Sequence, residues 1–411
     1  MEKITFCIPS KNNKRYLEAC IPSIRKNSFR DDHDIIVFVD EDKDGTVDWL
    51  NSVKEKYNIN FDVNNTGKLY GIGRAYDHCV KNSKTDIFMI FHADMMLGKH
   101  ADLEAFKHLG KNKVVCSTRI EPPLHPSGPE KIIKDFGLWP EKDVEDGWKE
   151  KEFDEFVEKT KIENKDMTTN GCFAPWMMYK TDFVAIGGHD FKFHSCREDS
   201  DVFNRCVLAG YELIQSWESY VYHLTARAGQ FQHGKLTQDH SQKSKEWREM
   251  MDASTREYFR KWGSLVNHDR YMMPIITPKY KITFILKNTD YGLLYNLEPW
   301  CSKIIIDYQG IVDSYIQHEQ KNTSYNLSER VKFSWEKPHI EHTKIDDIVV
   351  EFDCNEFDES KHYNFIHSLS AIIQDSGEIG KMNYDIFKLT INSMESYEKE
   401  NIINGSNKII S

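Results

Sequence analysis

Short apolar runs alternate with helical spacing along the first part of the chain. The runs predict buried strands at residues 4–9, 34–40, 59–63, 86–91 and 114–118. The intervening segments have the spacing of helices, at residues 14–28, 46–57 and 71–83. Apolar strands that alternate with helices are typical of a mostly parallel sheet covered by helices on both faces. The pattern therefore predicts an α/β domain.

A different pattern begins near residue 121. A proline-rich turn and an acidic segment that contains tryptophan predict a loop and an amphipathic helix, inserted beside the sheet over about 121–167. The following segments predict a strand at 172–180, a helix at about 198–209 and a strand-like stretch at 219–229. The insert interrupts the alternation without ending the domain, which we expect to cover residues 1–265.

A largely apolar helical face is predicted at the end of this domain. Residues 242–262 place on one face Trp247, Met251, Ser254, Tyr258 and Trp262. The pattern predicts a helix packed on a core, and the alternative is a helix on a membrane surface.

A second alternation of strands and helices begins after residue 280. Strands are predicted at 281–290, 303–307 and 347–353, and a helix is predicted at 361–374. We therefore predict a smaller C-terminal α/β domain over 275–395, followed by a flexible tail over 396–411. The alternatives for this accessory domain are that it binds the acceptor, forms an oligomer or holds another partner.

Composition and charge narrow the classes of function. The chain of 411 residues is 39% hydrophobic with a net charge of −11, which suits packed cores and argues against wholesale binding of nucleic acid. The nine cysteines are scattered and form no CxxC pair, so we expect reduced thiols in a cytoplasmic protein. Because no run reaches the roughly 20 apolar residues that a spanning helix needs, we also expect no transmembrane segment.

Polar residues follow three of the predicted strands. They are Pro9–Ser10 after the first strand, Asp40–Asp42 after the second and His92–Asp94 after the fourth. The carboxyl ends of parallel strands meet at one edge, where open α/β sheets bind ligands. Acids at strand ends also cap helices and form turns, which is the alternative role for each of them.

Further motifs continue this series in order along the chain. HAD at 92–94 is followed by GGHDFKF at 187–193, REDSDVFNRCVLAG at 197–210 and VYHL at 221–224. Together with the strand ends, this order resembles the family 2 glycosyltransferases, which are inverting enzymes with a GT-A type, Rossmann-like fold. The resemblance extends over residues 3 to about 225, and its most specific part is GG-x-D followed by Glu-Asp at the start of a helix.

The resemblance implies a site for the nucleoside of a sugar donor. Pro9, Ser10 and Asp40 match the positions that hold the nucleoside, with the Asp40 carboxylate accepting from a base N–H. Asp42 competes with Asp40 for this role, because the segment VDEDKDGT is longer than the usual motif.

The resemblance also implies three residues around the rest of the donor. Gly71 and Arg74 match the segment before the strand that carries the family's metal-binding motif, here the fourth predicted strand. The Arg74 guanidinium would face the base or the diphosphate. The alternative for Arg74 is a solvated helix arginine. Asp190 would shape the pocket for the donor sugar.

A metal site is implied at the end of the fourth strand. Asp94 matches the metal-binding acid of the Asp-x-Asp motif, and His223 matches a position that often supplies a metal-binding histidine. His92 stands where the first acid is usual, and it binds the ribose, joins the metal or marks a site that has drifted. The implied ion is Mn²⁺ or Mg²⁺, and mixed carboxylate and imidazole ligation suits Mn²⁺ better.

The Glu-Asp pair implies the catalytic groups. Asp199 would be the base that takes the proton of the acceptor hydroxyl, and Glu198 would orient the acceptor or support the base. The alternative is that these acids cap the helix that follows. Sugar rings often stack on aromatic faces, and the candidates for such stacking, or for the core, are Trp139, Trp148 and Trp176.

These residues predict a metal-dependent, inverting glycosyltransferase. Its partners would be a nucleotide-diphosphate sugar, a UDP-sugar or alternatively a GDP-sugar, and a carbohydrate or glycosylated acceptor. Three other functions compete with it. They are a degenerate sugar-nucleotide or glycan-binding protein, a nucleotidyltransferase with the same fold and a metal hydrolase. The segment SKNNKRY at 10–16 lacks the glycines of a nucleotidyltransferase loop.

Overall fold

The computed structural model describes residues 1–123, 126–137, 147–225, 245–334 and 346–402. These residues divide into two units. The first contains Met1–Met251 and His268–Ile275, and the second contains Asp252–Asn267 and Ile276–Ile402. The predicted tail lies outside the described residues from 403 onward.

A ten-stranded sheet forms the centre of the first unit. Its strands are β1 (Thr5–Lys11), β2 (Asp34–Glu41), β3 (Ile59–Val63), β4 (Ile87–Ile90), β5 (Met95–Leu97), β6 (Lys113–Glu121), β7 (Lys131–Ile133), β8 (Thr168–Asn170), β9 (Trp176–Tyr179) and β10 (Glu212–His223). Their order is β3-β2-β1-β4-β9-β6-β10-β5, with β7 beside β6 and β8 beside β10. β1 is parallel to β2 and β4, and β6 is parallel to β10, while β9 runs antiparallel between β4 and β6. The predicted fold class, a mostly parallel sheet with flanking helices, is confirmed.

Five of the seven helices described in the first unit were predicted, and the short helices Ala101–Phe106 and Lys180–Ala185 were not. The seven helices are Lys14–Asn27, Thr46–Tyr57, Ile72–Asn82, Ala101–Phe106, Glu150–Glu163, Lys180–Ala185 and Glu198–Leu208. In the first of them, Leu17, Ile21 and Ile24 recur at helical spacing and are fully buried in the core. Among the described residues, no helix has the length and apolar character needed to cross a membrane.

Three features of the sheet edge differ from the prediction. β6 extends to Glu121, which the sequence assigned to a turn, and Met95–Leu97 form a strand of their own. β10 begins at Glu212, before the predicted strand-like stretch. These strands exist because they pair with partners far away in the chain, and a local pattern contains no information about those partners.

A six-stranded sheet forms the centre of the second unit. Its strands are β11 (Ile282–Lys287), β12 (Lys303–Ile306), β13 (Val331–Phe333), β14 (Ile348–Asp353), β15 (Gly380–Tyr384) and β16 (Phe387–Ile391). They lie in the order β13-β12-β11-β14-β16-β15. The first four are parallel, and β15 and β16 add an antiparallel hairpin that the sequence did not predict.

Helices of the second unit include the one predicted at 242–262. It is the helix Lys245–Trp262, which belongs to this unit from Asp252 onward. Trp247, Tyr258 and Trp262 are buried, in agreement with a helix packed on a core. The other helices are Tyr291–Leu297, Gln309–Glu319, Leu327–Arg330 and Glu359–Ser376.

Candidate active site

The turn after β4 brings two side chains with metal-binding chemistry to the carboxyl edge of the first sheet. His92 and Asp94 lie in this turn, and β5 then pairs antiparallel with the end of β10, with Met95 opposite His223. The N–H of Leu224 donates to the Asp94 carbonyl oxygen at 3.0 Å. The strand pairing therefore holds Asp94 beside His223, although the two are far apart in the sequence.

Three side chains at this edge have the geometry of a metal site. One ligand atom from each of His92, Asp94 and His223 lies within 4.8 Å of the others. The Nε2 of His223 is 3.7 Å from the Oδ1 of Asp94, and the rings of His92 and His223 meet edge to face with centroids 5.4 Å apart. Imidazole suits transition metals and carboxylate suits Mn²⁺ and Mg²⁺. The residues present therefore fit a divalent ion.

The environment of His92 keeps its imidazole neutral. Burial and the charge of His223 lower the pKa of His92 to about 4, with a smaller contribution from Arg119 and an opposing one from Asp94. A neutral imidazole retains a nitrogen lone pair that can accept a hydrogen bond or bind a metal. His92 is thus available for either of the roles that the sequence left open.

His223 is held on its other side by Glu121. The Nδ1 of His223 is 2.9 Å from the Oε1 of Glu121, and both side chains are buried. Burial raises the pKa of Glu121, but the hydrogen bond with His223 and the charges of Arg119 and Lys131 outweigh it and hold that pKa far below its usual range. Sequence reasoning missed Glu121 because it ended the preceding strand at residue 118.

Tyr76 is a second residue that sequence reasoning missed. Its side chain is buried, and its hydroxyl has no hydrogen-bond partner among the described residues. The ring stacks on that of His189 at 5.6 Å and on that of His92 at 6.3 Å. Burial, followed by the charges of Glu198 and Asp94, raises the pKa of the Tyr76 phenol well above its usual value. The Tyr76 hydroxyl therefore lies near the acids of the candidate site. Helical spacing can predict that this side chain is buried, but it cannot predict that the hydroxyl lacks a hydrogen-bond partner.

The Glu-Asp pair begins the helix Glu198–Leu208, as predicted. The residue before it, Arg197, has a φ of 72° and turns the chain into the helix. Glu198 is buried, and its Oε2 has no hydrogen-bond partner among the described residues. Burial and the neighbouring Asp199 raise the pKa of Glu198 to about 8. The Asp199 carboxylate is half-buried and accepts the N–H of Ser200 at 2.6 Å.

The loop GGHD is fixed against the helix Ile72–Asn82. The Nδ1 of His189 is 2.7 Å from the Oδ1 of Asp77, and the His189 N–H also points at this carboxylate. Asp190 is buried and accepts the N–H of Lys192 at 3.2 Å. A Cβ on Gly73 would meet the Cβ of His189 at 3.0 Å, so the loop and the helix approach closely at this glycine.

Asp40 organises the loop that leads to this helix. Its carboxylate accepts the backbone N–H of Tyr70 at 2.8 Å, the N–H of Gly71 at 3.0 Å and the side-chain amide of Asn64 at 2.7 Å. Gly71 has a φ of 82°, and a Cβ there would lie 2.3 Å from the carbonyl oxygen of His194. The predicted donor segment is therefore tied both to the end of β2 and to the loop before Glu198.

Asp42 and Arg74 lie in different surroundings from Asp40. The Asp42 side chain accepts the N–H groups of Gly45 and Thr46 at 2.9 Å each, as in a helix cap. Burial raises the pKa of Asp42, but these hydrogen bonds outweigh it and lower that pKa overall. Arg74 is exposed, and its guanidinium lies over the Phe191 ring at 4.8 Å. Asp42 thus makes the helix-start contacts of its alternative role.

Two strand-end residues and two tryptophans complete the predicted set. Pro9 and Ser10 lie in β1, and the buried Ser10 hydroxyl has no partner among the described residues. Trp176 is buried in the core, and Trp148 stacks on Tyr222 at 5.4 Å. The burial of Trp176 and the ring contact of Trp148 match the core role of the tryptophans. Trp139 lies outside the described residues.

Several solved structures are similar to this chain at low identity. S. aureus TarS is 12% identical with a TM-score of 0.40, and the match covers 63% of this chain and 44% of TarS. S. aureus TarS 1–349 in complex with UDP-GlcNAc is 12% identical with a TM-score of 0.40, over 63% of this chain and 67% of that one. GalNAc-T7 with UDP, GalNAc and Mn²⁺ is 11% identical with a TM-score of 0.41, over 63% of this chain and 51% of that one. The chain spans less than half of the full TarS structure.

Sequence comparison gives one family and no individual relative. No curated protein matches the chain. The family match includes the strand ends of β1 and β2 and the segment His92–Asp94, whereas Glu198, Asp199 and His223 lie beyond it. The predicted resemblance is confirmed over this part of the molecule, because residues 5–174 match glycosyl transferase family 2.

Proposed function

We propose that this protein is a metal-dependent, inverting glycosyltransferase that moves a hexosyl group from a nucleoside-diphosphate sugar to an acceptor hydroxyl. The observation that carries the proposal is the cluster of His92, Asp94 and His223, whose ligand atoms lie within 4.8 Å of one another at the carboxyl edge of the sheet. Two of the three residues belong to the segment that matches glycosyl transferase family 2. Ligands of open α/β sheets bind at this edge.

Unpartnered polar atoms support a polar ligand beside this cluster. The hydroxyls of Ser10 and Tyr76 and the Oε2 of Glu198 are buried without a partner among the described residues. Buried polar groups in native proteins nearly always have one. A sugar nucleotide supplies phosphate, ribose and hexose oxygens, which would satisfy these atoms.

The donor side of the proposed site is formed by Ser10, Asp40, Gly71, Arg74 and Asp190. A carboxylate can accept about four hydrogen bonds. Asp40 already accepts those of Asn64, Tyr70 and Gly71, so it retains capacity for one base N–H.

Asp94 and His223 are the proposed protein ligands of the metal, with His92 as a third ligand or as a partner of the ribose. When bound, a divalent ion, Mn²⁺ in our proposal, would offset the charge that develops on the leaving diphosphate. The Asp94 carboxylate would supply the negative charge of this ligand set, and the imidazoles of His92 and His223 would supply nitrogen lone pairs.

Asp199 is the proposed catalytic base. Because the pKa of Glu198 is about 8, Glu198 is protonated at neutral pH and is a hydrogen-bond donor rather than a base. The acceptor oxygen bonds to the sugar C1 from the face opposite the diphosphate, the bond from C1 to the phosphate oxygen breaks, and the acceptor proton passes to Asp199. Glu198 orients the acceptor in this scheme.

Thermal-shift screening of UDP-, GDP- and CMP-sugars, with and without Mn²⁺, tests the proposal. A ligand that binds only the folded state raises the melting temperature by mass action. We expect a UDP-sugar to raise it in the presence of Mn²⁺ and to have less effect without the metal. If no nucleotide sugar raises the melting temperature with Mn²⁺ present, the proposed donor site is wrong.

A further inference from the structure

Glu121 connects the candidate metal cluster to two buried cations. Its Oε1 is 2.8 Å from the Nη1 of Arg119 and 2.9 Å from the Nδ1 of His223. Its Oε2 is 3.0 Å from the Nζ of Lys131. All four side chains are less than one-tenth exposed. The carboxylate is therefore held from two sides, and its third contact is the histidine.

A shift in strand register places Glu121 beside His223. Ser216 of β10 pairs with Ser117 of β6, but the next pair is Tyr220 with Thr118, so residues 217–219 have no counterpart in β6. Pairing then continues to Tyr222 opposite Ile120. In an unshifted register, Tyr220 would have faced Glu121. The insertion therefore brings the histidine to the acid.

The contact with Glu121 determines which nitrogen of His223 carries a proton. A carboxylate bound to Arg119 and Lys131 is ionised and can only accept, so the Nδ1 of His223 must donate to it. In the neutral form that a metal ligand needs, the ring then has its lone pair on Nε2, and this atom is 3.7 Å from the Oδ1 of Asp94. A cation bound between these two atoms would take this lone pair and the Asp94 carboxylate as its ligands.

We propose that Glu121 is a positioning residue that fixes the tautomer and the ring orientation of His223 for metal binding, an inference that rests on the proposed function. Metal-binding histidines usually donate their second N–H to a carboxylate or a carbonyl, and the loss of such a partner lowers metal affinity about 10- to 100-fold. Glu121 makes this contact, and Arg119 and Lys131 keep it in place.

Titration of the 411-residue chain with Mn²⁺, followed by isothermal calorimetry, tests this role without an activity assay. In Glu121→Gln, the side-chain amide can donate to Nδ1 and so stabilise the wrong tautomer. We expect its Mn²⁺ affinity to fall about 10- to 100-fold. Glu130→Gln is the matched control, because Glu130 lies 3.8 Å from both Arg119 and Lys131. Its affinity should equal that of the wild type.

Three outcomes would overturn the inference. Equal Mn²⁺ affinities of Glu121→Gln and the wild type, with the variant folded by circular dichroism, refute the positioning role alone. An equal loss in Glu121→Gln and Glu130→Gln assigns the effect to local charge. A wild type that binds no Mn²⁺ refutes the proposed function as well. If Glu121→Gln does not fold, Glu121→Asp replaces it, since it keeps the negative charge and withdraws the carboxylate from His223.

Discussion

Parallel strands of both sheets end in polar residues, and those at the ends of β11, β12 and β14 in the second sheet hydrogen-bond to one another. Asn288, after β11, donates its side-chain amide to Asp353 at 2.9 Å and its N–H to Asp307 at 2.9 Å. Asp290 accepts the N–H of Leu293 and caps the next helix. The side chains of Asn288 and Asp290 at this edge thus form hydrogen bonds within the protein.

The edge of the first sheet is different. Ser10, Tyr76 and Glu198 each keep a buried polar atom without a partner among the described residues, and Asp94 and His223 present ligand atoms to each other. Burying an unpaired polar group costs about 1–3 kcal/mol, and a polar ligand bound at this edge would remove that cost. Among the described residues, unpaired buried polar atoms therefore distinguish the carboxyl edge of the first sheet from that of the second.

The largest expected effect is on the rate of sugar transfer, and it compares Asp199 with Asp290, an acid at the start of a helix in the second unit. Asp199→Asn removes the proposed base, so we expect the rate of transfer to fall about 10²- to 10⁴-fold. Donor affinity should not change, because Asp199 is assigned to the acceptor. Radiolabelled transfer and calorimetry measure the two quantities.

Asp290→Asn is the control for this change. Asparagine caps helices about as well as aspartate, so the variant should keep the wild-type rate. Unchanged transfer in Asp199→Asn would remove Asp199 as the base, and a loss in both variants would indicate a general effect on folding.

The second expected effect compares two aspartates that follow parallel strands. Asp94→Ala removes a proposed metal ligand, so the Mn²⁺ affinity should fall by more than about 100-fold. This exceeds the loss of about 10- to 100-fold expected when a residue that only hydrogen-bonds to a metal ligand is removed. Asp353→Ala breaks the contact with Asn288 but touches no metal-binding group, so its Mn²⁺ affinity should equal that of the wild type. Calorimetric titration with Mn²⁺ would contradict the assignment if both variants bound equally well.

The third effect concerns two buried glutamates whose pKa values move in opposite directions. Glu198 has a pKa raised to about 8 by burial and Asp199, whereas Arg330 and Arg260 overcome burial and lower the pKa of Glu298 to about 2. The raised pKa of Glu198 means that the free energy of unfolding falls as the pH rises from the unfolded value of 4.5 to about 8. The lowered pKa of Glu298 means that stability is lost as the pH falls from 4.5 to about 2.

Glu198→Gln isolates the first of these dependences. Glutamine resembles the protonated acid at every pH, so the stability of the variant relative to the wild type should increase by up to about 1.4 kcal/mol per pH unit between the two pKa values. Urea unfolding at several pH values from about 5 to about 8 measures it. A difference in stability that does not change with pH would show that Glu198 is ionised in the folded protein.

The sequence predicted those parts of the fold that depend on local spacing. The helix Thr46–Tyr57 and the strand Ile59–Val63 have the predicted bounds, because their apolar positions repeat within a few residues. β5 was missed because its three residues form a strand by pairing with the distant β10. In the hairpin Gly380–Ile391, β16 alternates buried apolar with more exposed polar residues, which is a local signal that the sequence analysis did not use.

The candidate site shows the same limit. His223 was connected to Asp94 only through the resemblance, because 128 residues of chain separate them and their contact arises from the pairing of β10 with β5. Glu121 reaches His223 through a register shift, and the missing partner of Tyr76 is a property of the folded interior. The residue types predicted which side chains at the carboxyl edge of the first sheet could bind a ligand. The pairing of distant strands determined which of their polar atoms lack a partner among the described residues.

The smallest expected effect compares two buried tyrosines. Tyr315 of the second unit donates its hydroxyl to Glu298 at 2.9 Å and accepts from Arg256 at 2.8 Å, whereas the Tyr76 hydroxyl has no partner among the described residues. Tyr76→Phe should therefore stabilise the ligand-free protein by about 1 kcal/mol, while Tyr315→Phe should destabilise it by about 1–3 kcal/mol. If the open hydroxyl serves the donor, Tyr76→Phe should also weaken UDP-sugar binding about fivefold, the equivalent of one hydrogen bond. Thermal unfolding with and without the UDP-sugar measures both effects, and a loss of stability in Tyr76→Phe would show that its hydroxyl is already satisfied without a ligand.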